Sequence, residues 1–167
     1  MTESREQRIH LRRLTMEDIP AAAAVEAQCL AEAWSENAYR SSFRLDGTDS
    51  WFWGAEMEGE LVGIIGLFRM GEDGEIGNVA VLPKARRQGI AERLLQTVLT
   101  YGSTESGMRN FTLEVRSGNL PAQALYAKYD FRTEGIRPGF YRNPAEDALI
   151  MWKREKKGQN SNAGGCV

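Results

Sequence analysis

The stretch from Val79 to Leu95, Val-Ala-Val-Leu-Pro-Lys-Ala-Arg-Arg-Gln-Gly-Ile-Ala-Glu-Arg-Leu-Leu, constrains this chain more than any other. Its apolar start, ending near Pro83, reads as a strand. Ile90, Leu94, Leu95, Val98 and Leu99 then recur at helical spacing and share one face. The turn between them, Arg86-Arg87-Gln88-Gly89-Ile90-Ala91, is basic. A strand that feeds a helix through such a turn leaves several backbone N–H groups unpaired and pointing the same way. The helix dipole adds partial positive charge there, so the turn suits an anion such as a pyrophosphate. Gly89 and Ala91 carry almost no side chain and allow a close approach. On spacing alone the turn is equally an ordinary strand–helix junction with solvated arginines. It is not a Walker A loop, because no Gly-Lys-Ser/Thr follows, nor a dinucleotide fingerprint, because G-x-G-x-x-G is absent.

Around this unit the periodicities alternate. Ile9 to Leu14 reads as a first strand. Thr15-x-x-Asp18 is a variant capping box, Pro20 falls in the first helical turn, and a helix runs through Ala21–Ala31. Ser35 can cap a second helix ending near Leu45, before an Asp46-Gly47 turn. Ser50–Glu56 and Leu61–Met70 flank Met57-Glu-Gly-Glu60 as a hairpin, and Gly71-Glu-Asp-Gly74 turns into a strand over Glu75–Leu82. The helix over Gln88–Ser103, a strand over Asn110–Val115, a helix from Ser117-Gly-Asn119 to Tyr129, and strands over Phe131–Ile136 and Asp147–Lys153 complete the order. Strands and helices mixed in this way make an α/β or α+β three-layer fold on a mixed sheet. No repeat or linker divides the chain. Residues 1–153 read as a single domain, and 154–167 as a polar, Gly-rich, disordered tail.

The chain's 167 residues suit one domain with a full core. A net charge of −2 argues against a nucleic-acid binder with a broad basic surface, although Lys84, Arg86 and Arg87 concentrate positive charge locally. No apolar run is long enough to span a membrane, and the polar start lacks the core of a signal peptide, so a cytoplasmic protein is expected. Cys29 lies in an Ala-rich helical pattern and reads as a small buried hydrophobe. Cys166 lies in the Gly-rich tail, and neither a disulfide between the two nor a metal site is expected. The single histidine, His10, falls in the first strand, where a structural use outweighs a catalytic one.

Arg86-x-x-Gly89-x-Ala91 resembles the Q/R-x-x-G-x-G/A signature of the GCN5-related N-acetyltransferases. Three further matches follow in order: Leu113-Glu-Val-Arg116, then Asn119-x-x-Ala122-x-x-x-Tyr126, then Ile136-Arg-Pro-Gly-Phe-Tyr141 with Glu146-Asp-Ala-Leu-Ile-Met151. The ending, together with Trp34-Ser-Glu-Asn37, resembles the RimI-type branch, which acetylates the N-terminal alanine of small-subunit ribosomal protein S-eighteen. The similarity spans roughly residues 9 to 153.

This resemblance implies a mixed sheet of about seven strands, splayed between strands 4 and 5, with about four helices. It implies acetyl-CoA as donor and a protein N-terminus as acceptor, and no metal. The backbone N–H groups of Arg87, Gln88, Gly89, Ile90, Ala91 and Glu92, with Arg86 beside them, would hold the pyrophosphate. Val79, Ala80 and Val81 would pair with the pantetheine amides as an added strand does, and a main-chain N–H among them would polarise the thioester carbonyl. Glu114 becomes the general base and Tyr126 the general acid. Asn119 would anchor the cofactor while capping its helix, and Trp34 and Tyr141 would flank the peptide entrance. Without the resemblance Glu114 reads as a solvated strand carboxylate, Tyr126 as a packed helix aromatic, and Trp34 and Tyr141 as core aromatics.

The chain departs from the family pattern at Asp130, where a C-capping glycine is usual, and at Phe140, which replaces the first tyrosine of a pair. Aspartate tolerates positive φ better than most residues, so the turn is expected to survive. A transferase acting on a small free amine would share the cofactor site and differ at Trp34 and Tyr141. A non-catalytic acyl-CoA-binding module would not need Glu114 and Tyr126.

Overall fold

The computed structural model describes residues 8–43 and 49–156. In chain order they form β1 (Ile9–Arg13), a 3-10 turn (Met16–Asp18), α1 (Ile19–Cys29), α2 (Glu36–Phe43), β2 (Ser50–Met57), β3 (Glu60–Met70) and β4 (Asp73–Val81). A second 3-10 turn (Pro83–Ala85), α3 (Ile90–Thr104), β5 (Asn110–Arg116), α4 (Leu120–Lys128), β6 (Arg132–Arg142) and β7 (Ala145–Lys153) follow. The strands make one seven-stranded mixed sheet, as the periodicities and the resemblance imply, in the order β1-β2-β3-β4-β5-β7-β6. The Asp46-Gly47 turn, the expected end of α2 at Leu45, residues 1–7 and nearly all of the tail lie outside the described residues.

Strand β2 shows how the layers arise. Successive strand side chains point to opposite faces, and here both faces are buried. Trp51 and Trp53 pack against Tyr101 of α3, with ring centroids 5.5 and 5.0 Å apart. Phe52, between them, meets Tyr39 and Phe43 of α2 on the other face at 5.3 and 5.0 Å. Helix α3 therefore covers one face of the sheet, and α1 with α2 the other. The α3 stripe is the one its periodicity defines: Ile90, Leu94, Leu95, Val98 and Leu99 are all buried, each worth about 1.5–3 kcal/mol relative to exposure.

The feature that positions the site is where pairing stops. Strands β4 and β5 run parallel and pair only at Asp73–Asn110, Gly74–Phe111 and Glu75–Thr112. Beyond Glu75, β4 stays with β3, and beyond Thr112, β5 stays with β7, but the two part from each other. Facing backbone edges in the middle of a sheet are thus left without each other, and such groups need water or a ligand.

β4 is also irregular where it lines this gap. Ile64 pairs with Ala80 and Gly66 with Gly77, so Ile65 alone stands opposite Asn78 and Val79. This is a β-bulge, with Asn78 at φ 52°.

Several expectations are corrected. β6 does not end at Ile136 but continues through Pro138 to Arg142. It is an edge strand with a register shift between Arg137 and Tyr141, where proline removes no ladder bond. Thr15 and Asp18 do form the capping box, but on the 3-10 turn that precedes α1. The expectation at Asp130 holds: it takes φ 68°, the left-handed conformation its place after α4 requires.

Candidate active site

The gap between β4 and β5 opens into a cleft of three connected lobes. One lobe, of about 510 Å³, lies between Val79–Val81 and the start of α4. It shares Val79, Asn119, Tyr126, Cys29 and Leu30 with a lobe of about 460 Å³ that reaches Glu114 and Tyr141. In the other direction it shares Val81, Arg86, Ala91 and Leu125 with a smaller lobe, about 230 Å³, at the Arg86–Glu92 turn.

The turn is built for close approach by an anion. Arg87 and Gly89 are both left-handed, at φ 63° and 75°, and Gly89 caps α3. The first backbone bond of the helix is Arg93 N–H to the Gly89 carbonyl at 3.0 Å. The N–H groups from Arg87 to Glu92 have no backbone partner among the described residues. A Cβ added to Gly89 would stand in open space. Free N–H groups, a helix N-terminus and an open flank fit the phosphates of a nucleotide cofactor. Arg86 turns back to donate its Nε–H to the Val81 carbonyl at 3.0 Å, which ties the turn to the end of β4. Gln88 is exposed and lines none of the three lobes.

At the other end, Glu114 lies on the face of β5 opposite the buried Leu113 and Val115 and lines the cleft. Its side chain is 24% exposed, and its Oε1 sits 3.5 Å from Arg137 Nε on β6. Glu75, at the last paired position of β4, has its pKa raised by burial and secondarily by the charge of Glu114.

Tyr126 is buried at 7% exposure, its ring packed on Phe131. Its hydroxyl has no hydrogen-bond partner among the described residues, yet it is not an orphaned buried atom, because the cleft reaches it. Burial pushes the phenol up to about 12, so it is a proton donor near neutrality. Asn119 caps α4, its Oδ1 accepting the Ala122 N–H at 3.2 Å, and lines both larger lobes.

Tyr141 joins them through contacts that sequence reading missed. The Arg116 guanidinium stacks 4.2 Å from the Tyr141 ring centroid. It also donates to Glu146 Oε1 at 3.2 Å and to the Pro144 carbonyl at 3.0 Å. Glu146 in turn accepts the Gly118 N–H at 2.7 Å; that bond and Arg116 hold its carboxyl below the usual range. The Tyr141 phenol is raised, first by burial and then by Glu114. Across the cleft mouth, Glu32 Oε1 accepts the Arg142 N–H at 2.7 Å, joining the α1–α2 loop to β6.

Two expectations do not fit this geometry. Trp34 lines none of the three lobes. Its ring packs among Tyr39, Phe52 and Phe68 at 5.4–6.2 Å, because three aromatic faces offer it more apolar burial than the cleft rim. Cys29 is not a buried hydrophobe. It is half-buried on the cleft wall and donates its thiol to the Val81 carbonyl at 3.4 Å.

Asn78 was also missed. A polar residue inside an apolar strand, of a type that tolerates positive φ, was the available signal for the bulge.

The profile of the Acetyltransferase (GNAT) family matches residues 14–131. The chain is similar to a Bacillus subtilis (strain 168) protein provisionally assigned as a ribosomal protein bS18 alanine N-acetyltransferase. The two are 32% identical over 142 residues, which cover 85% of this chain and 93% of that one. It is also similar to the N-alpha-acetyltransferase RimI of Mycobacterium tuberculosis (strain ATCC 25618 / H37Rv), 32% identical over 83% of this chain and 87% of that protein. The crystal structure of the ribosomal-protein-S18-alanine N-acetyltransferase from Escherichia coli superposes with a TM-score of 0.80. It is 27% identical and covers 92% of this chain and 99% of that one. The chain therefore belongs to the GNAT family of acetyltransferases, of the RimI-like kind.

Proposed function

We propose that this protein moves the acetyl group of acetyl-CoA to the α-amino group of a protein N-terminus, with an N-terminal alanine of the bS18 kind as the acceptor its relatives point to. The observation that carries the reading is the convergence of Glu114, Tyr126, Asn119 and the free edge of Val79–Val81 on one cleft, which continues into an anion-binding turn.

Acetyl-CoA supplies an acetyl group already activated as a thioester. The chain's own groups do the rest. The N–H groups of residues 87–92 hold phosphate, and Asn119 has its side-chain amide N–H₂ free to donate while its oxygen caps α4. A main-chain N–H of the Val79–Val81 edge serves as the oxyanion donor. Glu114 takes a proton from the acceptor ammonium, directly or through a water. This is a modest demand, since an α-amino group titrates near 7.7–8.0. Tyr126, protonated and free of other partners, hydrogen-bonds the departing thiolate, whose pKa is about 8.5 if cysteine is its guide, and relays to it the second proton that the acceptor nitrogen sheds as the amide forms, so the phenol ends protonated.

The acceptor end supports a slim, extended substrate. Tyr141 is braced by Arg116, and the Glu32–Arg142 bond crosses the mouth. Mass spectrometry of products from acetyl-CoA with a panel of peptides and small amines tests the proposal. A peptide beginning with alanine should gain one acetyl group at its α-amine, and the same peptide with a blocked terminus should gain none. Acetylation confined to lysine side chains, or to polyamines, would overturn it.

A further inference from the structure

Glu26 is a carboxylate in the interior, 2% exposed, which the reaction scheme above does not use. It sits on the inner face of α1. Three donors from three parts of the chain converge on it. The Tyr39 hydroxyl of α2 donates to Oε2 at 2.6 Å, Asn78 Nδ2 of β4 donates to Oε1 at 3.0 Å, and the backbone N–H of Trp34, in the α1–α2 loop, also faces the carboxylate. Burying a carboxylate is costly unless its lone pairs are satisfied. A satisfied network of this kind fixes one arrangement of the groups it joins.

What it joins is the cleft. Asn78 is the left-handed residue of the β4 bulge, and Asn78 and Val79 line the wall that faces Glu114 and Tyr126. Trp34 closes the loop whose residues Leu30, Ala31 and Glu32 line the opposite side. A bulge re-aims the backbone groups of its strand, and at Asn78 it does so immediately before the edge assigned to the oxyanion donor. Positive φ costs a non-glycine residue about 1 kcal/mol or more, so something must hold it. The one side-chain hydrogen bond of Asn78 among the described residues is the bond to Glu26.

We infer that Glu26 is a positioning residue: through Asn78 it locks the β4 bulge, and so aims the main-chain donor of Val79–Val81 at the reacting carbonyl. The inference rests on the proposed use of that edge in acetyl transfer. Tyr39 also holds Glu26, on the other carboxylate oxygen, and its hydroxyl lies beside the Asn78 amide; only the Asn78 contact reaches the bulge through Glu26. The Asn78 contact matters to turnover, and the Tyr39 contact matters to stability.

The test is a set of variants in the full chain, read by kinetics and by amide hydrogen exchange without any ligand. In Glu26→Met the acceptor is gone and the bond to Asn78 is lost. Turnover should fall about tenfold or more, the size expected from a displaced catalytic group, with the KM for acetyl-CoA changing much less. Exchange should quicken at residues 78–80. Asn78→Ala removes the same bond from its other end, so the double variant Glu26→Met with Asn78→Ala should lose little more turnover than the worse of the two single variants. Tyr39→Phe should lower the melting temperature while keeping kcat within about threefold of the parent, a change worth less than 1 kcal/mol.

If kcat simply follows melting temperature across the set, or if the two single losses simply add in the double variant, Glu26 is structural only and the inference is wrong. The exchange measurement separates this inference from the proposed reaction. Unchanged exchange at residues 78–80 in Glu26→Met overturns the inference whatever the acceptor is. A parent protein that acetylates no amine, but shows the exchange pattern expected, overturns the reaction and leaves the lock.

Discussion

Tyr126 and Glu114 line one lobe of the cleft under different constraints, and their replacements should differ accordingly. Removing the Tyr126 hydroxyl breaks no hydrogen bond among the described residues, so Tyr126→Phe should leave stability within about 0.5 kcal/mol of the parent. Glu114→Gln gives up only a partly exposed contact with Arg137 at 3.5 Å, worth at most about 1 kcal/mol. Both should nonetheless lower turnover by about 10²–10⁴-fold while acetyl-CoA affinity stays nearly intact. Full activity in both variants would reject the assignments. The pH profile follows from the same residues. Tyr126 stays protonated until pH approaches its raised value of about 12. The rate should therefore climb as the acceptor amine loses its proton near 7.7–8.0, and stay level up to about pH 10, where an unperturbed phenol would already be ionising. A fall between pH 8 and 10 would point to a different acid. Neither residue announces its role by pattern, since a strand carboxylate is ordinarily solvated and a helix tyrosine ordinarily packed. Only their place in family motifs marks them. Glu26 and Asn78 are harder still to read, because 52 residues separate the two ends of their bond and nothing local links them.

Among the elements, α3 was legible in its apolar period, but it starts at Ile90 with the left-handed Gly89 as its cap, not at Gln88 as the sequence reading placed it. β6 was only half legible. It is an edge strand exposed along most of its length, so burial imposes no alternation on it and Pro138 reads as a stop. Trp34 was misplaced for a related reason: sequence gives the residue type, but the competition between cleft and core is decided by partners on β2 and β3. The turn after α4 carries a testable cost. Asp130 holds φ 68°, and its contacts with Lys153 and Lys156, both 3.9 Å, are exposed. Asp130→Gly should therefore stabilise the fold by about 1 kcal/mol, seen as a higher melting temperature, whereas a lower one would mean that those contacts matter more than the backbone. The entry to α1 gives a pH signature. Asp18 accepts from Arg12 at 2.7 and 2.8 Å and from the Thr15 N–H at 2.8 Å. The Arg12 bond above all holds its pKa at about 2. Because the folded value lies below the ordinary value of about 3.9, this stabilisation is complete above that ordinary value and is lost as pH falls through about 2. Asp18→Asn should flatten acid denaturation over that window, and an unchanged acid limb would show that the contact adds no stability.

For the molecule as a whole, the organising fact is a sheet that is continuous on both sides and open in the middle. β1 to β4 and β5 to β6 are each fully paired, and the two halves touch at only three residue pairs. The end of α1 with its following loop, the start of α3, and α4 line the cleft that forms at this opening. The turn that starts α3 leads directly out of β4, so holding phosphate and aligning the reacting end belong to one continuous segment. Among the described residues no helix is long and apolar enough to cross a membrane.

Isothermal titration with acetyl-CoA tests that frame most directly. The full chain should take up one equivalent, and Gly89→Ala, which strains the φ 75° cap that presents the free N–H groups, should bind about tenfold more weakly, a loss of about 1.4 kcal/mol. No measurable uptake by the parent, or uptake indifferent to the change at Gly89, would contradict the account.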